Sequence, residues 1–96
     1  MNGARAIFPF PDRKGYTVSR GERHGLVMII QIMLEALSLY YDSLGPFFIS
    51  GTYDLMTENA VKAFQKVNKL VQSGKVDLET WNRLAEEFNS VLKDNQ

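Results

Sequence analysis

Cysteine is absent from all 96 residues, which excludes disulfides, thiolate zinc sites and cysteine nucleophiles together. Histidine occurs once, as His24, so no spaced histidine pair exists and no metal or other cofactor is expected. Net charge is zero, with 11 basic and 11 acidic side chains, which argues against a nucleic-acid binder held by phosphate contacts. Long apolar runs are missing too. The longest, Leu26–Tyr41, is too short and interrupted for a membrane span, which needs about 20 residues. The first twenty residues contain no continuous apolar segment of the signal-peptide kind, so no signal peptide is expected within this chain. No Ser/His/Asp order or nucleophile elbow is visible. The neighbouring carboxylates Glu86 and Glu87 fall on a polar helix face, away from any apolar pocket that would raise an acid's pKa. An enzyme is therefore not expected.

What remains is an ordinary globular composition, 45% hydrophobic, in a chain long enough for one domain. Residues 1–21 read as an irregular N-terminal arm, because Pro9, Pro11, Gly15 and Gly21 break any periodicity. Ile7, Phe8, Phe10 and Tyr16 give that arm something to pack with, so it is expected to be ordered. Its basic side chains face an acidic excess after Asp77, which an arm across the last helix would satisfy. A plain solvated surface is the simpler expectation.

Helical periodicity accounts for most of residues 22–93, leaving 94–96 as a tail. A first helix is expected from about Glu22 to Tyr41, with Val27, Ile30, Leu34, Leu37 and Tyr41 on one face. Leu26, Ile29, Met33, Ala36 and Tyr40 make its flank apolar as well. Gln31, Glu35 and Ser38 fall within ~60° of one another at ~100° per residue, forming a narrow polar stripe that His24 and Asp42 extend. So apolar a helix needs cover from the arm or from a second chain. A loop with Gly45-Pro46 follows, and Phe47, Phe48 and Ile49 are expected to fold back as a short extended segment. A second helix is expected from about Leu55 to Lys69, with Ala60, Val61, Phe64 and Val67 inward and Lys62, Lys66 and Lys69 as a basic stripe. A third, from about Leu78 to Leu92, is plainly amphipathic, with Leu78, Trp81, Leu84, Ala85, Phe88, Val91 and Leu92 on one side.

An internal repeat carries more information than any single element. Ser50-Gly51-Thr52-Tyr53-Asp54-Leu55-Met56-Thr57 recurs as Ser73-Gly74-Lys75-Val76-Asp77-Leu78-Glu79-Thr80, and each copy leads into a helix. Gly51 and Gly74 permit the positive φ of a tight turn. Tyr53 and Val76 place one apolar side chain under each turn. Asp54 and Asp77 are suited to cap the helices that follow by accepting otherwise orphaned N–H bonds.

The order of these features resembles the three-helix peptidoglycan-binding domain family. The resemblance rests on Ile30-Gln31, Leu34 and Leu37, then Gly51, Tyr53, Thr57, Ala60-Val61, Phe64-Gln65 and Leu70, then Gly74, Val76, Thr80-Trp81 and Leu84. These residues span about 21–88. The family pattern usually has Asp-Gly in both turns, where this chain has Ser50-Gly51 and Ser73-Gly74. It usually has a second glycine where Asp54 and Asp77 stand, and its glycine before the first helix is displaced here to His24-Gly25.

The expected fold is therefore all-α: a small three-helix bundle with an irregular arm and two repeated glycine-turn and helix-cap motifs. Ile30, Leu34, Leu37, Gly51, Asp54, Val61, Phe64, Gly74, Asp77, Trp81 and Leu84 are its expected core and caps, and Trp81 reads as core in preference to a sugar-stacking platform. The resemblance implies a non-catalytic module that binds peptidoglycan, through peptide stem or glycan, and targets a wall-active protein. It would act outside the cytoplasm or in the wall if exported as part of a larger protein. Tyr40, Tyr41, Tyr53, Gln65 and Lys69 are the candidate ligand contacts. For Gln65, and equally Gln31, a buried amide bonded to loop backbone serves as well. The competing expectation is a protein-interaction or oligomerisation module that keeps the fold without wall binding, with a second copy or a neighbouring domain covering the first helix.

Overall fold

The computed structural model describes residues 9–94, and the arm's Ile7 and Phe8 lie outside that range. Among the described residues the chain forms three helices: α1 (Gly25–Leu37), α2 (Leu55–Val67) and α3 (Leu78–Asp94). A single 3-10 turn, Asp42–Leu44, stands between α1 and α2 and packs on α2, while α1 packs chiefly on α3. The core joins Ile30, Leu34 and Leu37 of α1 to Val61 and Phe64 of α2 and Trp81 and Leu84 of α3, all buried. No helix of the described residues is long and apolar enough to cross a membrane.

The arm is woven into this core. Val18 is fully buried and exchanges two backbone hydrogen bonds with Val76, each 2.9 Å, as an isolated antiparallel bridge. Three residues on, Gly21 N–H donates to the Tyr53 carbonyl and Tyr53 N–H donates to that of Glu22, both at 2.9 Å. The arm thus pairs with the apolar residue of each repeated turn. Nearer the start, the Phe10 ring stacks on Trp81 at 4.7 Å and meets Tyr16 edge-on at 5.4 Å. Aromatic contact, more than charge, lays the arm against α3. An ion pair from the arm joins Arg20 to Glu58 of α2 (3.1 Å), not to the carboxylates of α3.

Helix ends differ from expectation for identifiable reasons. The first helix does not start at Glu22, because Gly21, in a turn at φ 94, and Glu22 are held out of helical geometry by their bonds to Tyr53. It stops at Leu37 rather than Tyr41. There the Ser38 hydroxyl donates to the Glu35 carbonyl, and Tyr40 and Tyr41 N–H both turn back to Leu37. The second helix ends at Val67 in a six-to-one closure, with Leu70 N–H donating to the Gln65 carbonyl (2.8 Å) and Lys69 N–H to that of Lys66 (3.1 Å). That closure puts Lys69 at φ 59, a left-handed conformation that glycine normally fills. Lys69 therefore leaves the stripe of Lys62 and Lys66. The third helix runs two residues past Leu92.

The polar stripe expected on α1 does not exist as such. Gln31 is completely buried, while Met28 and Ile32 are each 41% exposed and Leu39 is 82% exposed. Met33, expected on the uncovered flank, is buried, and Leu26, Ile29 and Ala36 are half-covered. In the loop, Leu44 and Phe47 are buried and Phe48 and Ile49 face out.

The left-handed lysine generates a stability prediction. Lys69→Gly relieves the steric cost of a Cβ in that region and should raise unfolding free energy by about 1 kcal/mol, measured by urea denaturation. A decrease would mean that the lysine side chain contributes more than its backbone strain removes.

Candidate functional site

Two matching side-chain amides organise the repeated turns. Gln31, at mid-α1, reaches across to the first turn. Its amide nitrogen donates to the Thr52 carbonyl and the Thr57 hydroxyl, both at 2.9 Å, with the Ser50 hydroxyl at 3.3 Å, and its oxygen accepts Gly51 N–H at 2.8 Å. Gln65, near the end of α2, does the same for the second turn. It donates to the Lys75 carbonyl (3.0 Å) and Thr80 hydroxyl (3.1 Å), with Ser73 at 3.3 Å, and accepts Gly74 N–H at 3.0 Å. Both amides are buried with every donor and acceptor engaged, so each helix clamps the turn that launches its successor.

The local residues complete each clamp. Ser50 and Ser73 accept the N–H two residues on, from Thr52 and Lys75, and so do the work of a short side-chain acceptor in a turn. Asp54 accepts both the backbone N–H (2.9 Å) and the hydroxyl (2.8 Å) of Thr57, and Asp77 accepts Thr80 N–H at 2.8 Å. Burial opposes ionisation of Asp54, but the bonds from Thr57 and Ser50 outweigh it and hold its carboxyl below the usual range. Gly74 has φ 77, and a Cβ there would lie 2.9 Å from Lys62 Cε and 3.0 Å from Glu58 Cγ.

This arrangement removes two candidate ligand contacts from the surface. Tyr53 is fully buried, and its hydroxyl donates to the Gly74 carbonyl at 2.6 Å, so it ties the first turn to the second. Burial, with the nearby carboxylates of Glu58 and Glu22, pushes its phenol well above the ordinary value. Gln65 is equally committed to its turn. Tyr40 is exposed at the end of α1, and Tyr41 is half-buried with its hydroxyl donating to Glu87 of α3 at 2.6 Å. That bond, then burial, raises the Tyr41 phenol. Lys69 is exposed beside Asn68, whose Oδ1 accepts from Arg83 Nε at 2.9 Å.

Those last contacts outline a surface that no sequence pattern had marked. Along the outer side of α3, Leu70 from the α2–α3 turn and Leu78, Glu79, Asn82, Arg83 and Glu86 line an open groove of ≈ 450 Å³. Its floor is apolar and its rim carries one guanidinium, one amide and two carboxylates. Arg83 is held at its Nε by Asn68, and its guanidinium lies 3.8 Å from Glu86 and 3.9 Å from Glu87, which restrains its plane beside the groove. The signal available in the sequence is slight: Leu78, an apolar residue one turn before Trp81, falls on the apolar side of the helix by spacing and is 38% exposed.

A family model described as "Putative peptidoglycan binding domain" matches residues 23–84, more than half of the chain. No curated protein matches it. The matched span contains both clamps, from Gln31 to Thr80.

The clamps make a direct prediction. Gln65→Leu should cost at least about 2 kcal/mol, since it leaves Gly74 N–H and the Lys75 carbonyl without their partner in a buried place. Chemical denaturation measures it, and a loss below about 0.5 kcal/mol would show that the turn holds itself.

Proposed function

The chain belongs to the peptidoglycan-binding domain family, and on that premise we propose that it is a non-catalytic module that fastens a wall-active protein to peptidoglycan through the groove beside α3. The family places it among binding modules and implies a wall or extracytoplasmic setting. The observation that carries the proposal is the match itself, whose span includes both clamped turns.

The groove suits a peptide stem better than a bare sugar. Leu70 and Leu78 offer a floor for methyl groups, Asn82 offers an amide that both donates and accepts, and Arg83 offers paired donors to a carboxylate. Of the candidate contacts, Tyr41 bonds Glu87 and Lys69 adjoins Asn68, both next to Arg83 of this surface, and Tyr40 lies in the turn past the end of α1. An open, shallow site binds weakly by itself, so attachment to a neighbour on the same polymer raises its effective concentration.

Incubation of the chain with purified sacculi tests this reading. Retention should survive ~0.5 M salt, where surface charge attraction is screened, and should fall several-fold on Arg83→Ala or on adding soluble stem peptide. No soluble wall fragment should appear. Failure of the unaltered chain to be retained would overturn the reading.

A second reading has its own observation. Met28, Ile32, Leu39 and Phe48 leave an apolar strip on α1 and its loop, which a neighbouring domain or a second copy would cover. Met33 is unsuited to testing it because it is buried, whereas Ile32 is exposed and can be changed without touching the core. Light scattering of the chain and of Ile32→Lys should give a dimer mass that the substitution returns to monomer. Identical monomeric masses would dispose of the second copy.

A further inference from the structure

The groove does not end at Leu78. On the other side of Leu78 and Glu79 lies a second recess, of ≈ 330 Å³, whose far wall is the arm: residues 12–17 face Asp77, Leu78 and Glu79. The two recesses share Leu78 and Glu79 as their common wall. Of the residues that build the arm's side, none lies within the matched span 23–84, so this half of the surface belongs to the chain and not to the family pattern.

The arm segment is held firmly enough to serve as a wall. Phe10 is stacked on Trp81 on one side of it and Val18 is bridged to Val76 on the other. Between those anchors, Tyr16 N–H donates to the Arg13 carbonyl (2.9 Å) and closes a tight turn, with Gly15 at φ 79. The turn brings the Arg13 guanidinium over the Tyr16 ring at 5.1 Å from its centroid, which orients the group while leaving its donors free at the edge.

Charge then follows a simple order along the surface. Arg13 and Lys14 stand on the arm, Glu79 stands on the shared wall, and Arg83 stands in the first groove. Other carboxylates are present: Asp77 is committed to capping α3 through Thr80 N–H, Asp12 and Glu86 lie in one recess each, and Glu87, which accepts from the Tyr41 hydroxyl, lies 3.9 Å from Arg83. We propose that the two recesses form one extended site, completed by the arm, for a short peptide that carries a free side-chain ammonium between carboxylates. The ammonium meets Glu79, and the flanking carboxylates meet Arg83 on one side and Arg13 or Lys14 on the other. This rests on the wall-binding reading and adds to it the class of stem recognised and the part of the chain that recognises it.

Backbone NMR of the isotope-labelled full chain, titrated with a soluble disaccharide-tetrapeptide whose one free amine is on the diamino residue, tests the proposal. Amides of residues 12–17 and of 78–83 should shift together. Acetylating that amine should weaken binding by up to about fivefold, and Glu79→Gln should weaken binding of the free-amine peptide equally while abolishing the effect of acetylation. Glu79 is exposed, so its substitution leaves the fold intact. Shifts confined to Leu70 and α3, or an acetylation effect that persists in Glu79→Gln, would overturn the extended site while sacculus retention kept the wall reading alive. No shift and no retention on sacculi would remove both.

Discussion

The structure depends on two carboxamides that reach from one helix to the turn that starts the next. Gln31 and Gln65 each satisfy a glycine N–H, a turn carbonyl and a threonine hydroxyl at once, and they do so away from water. A buried amide is costly without partners and worth keeping only when every lone pair and hydrogen is used. That condition fixes the distance and angle between α1 and the first turn, and between α2 and the second. Because the second turn also receives the Tyr53 hydroxyl through the Gly74 carbonyl, the two clamped turns behave as one unit. The same turns sit against the one apolar core that joins the three helices, through buried Tyr53 and Val76.

The arm uses what this unit leaves open. Tyr53 and Val76 present backbone groups that no helix can satisfy, and residues 18–22 satisfy them by running past both turns. The same path lays Phe10 over Trp81, ring stacked on ring at 4.7 Å. An irregular stretch rich in proline and glycine is suited to this task, since its prolines resist helix and its glycines permit the turns at Gly15 and Gly21. Its consequence for function is geometric. It sets a wall beside the first turn of α3, and so turns one side of a helix into a channel with two recesses.

Two features of the surface follow from burial elsewhere. The usual aspartate of the turns is replaced by Ser50 and Ser73, yet the bond to the N–H two residues on is kept, so the turns close without the extra charge. Met28 and Ile32 of α1 are exposed because Gln31 faces inward: rotating a polar residue into the core turns apolar neighbours out on a helix of fixed period.

Much of this was legible in the residues alone. Three helices, the two repeated turns, the caps at Asp54 and Asp77, and the burial of Phe64, Trp81 and Leu84 follow from periodicity and from the chemistry of glycine and aspartate, which act over a few neighbouring residues. Helix ends were misplaced where a distant partner intervened, as Tyr53 does at Glu22. The role of Gln31 and Gln65 was left open between loop and ligand, and only their being surrounded decides it. Tyr53 fits both an apolar support under its turn and a ligand contact, because sequence gives its type and not its enclosure. The groove was invisible for a different reason: its lining comes from a turn, a helix face and, beyond Leu78, an arm about sixty residues earlier in the chain. Local propensities determined what each segment becomes. Which polar groups are buried, and which surfaces meet to make a site, was decided by the tertiary structure, because desolvation depends on what every other segment covers.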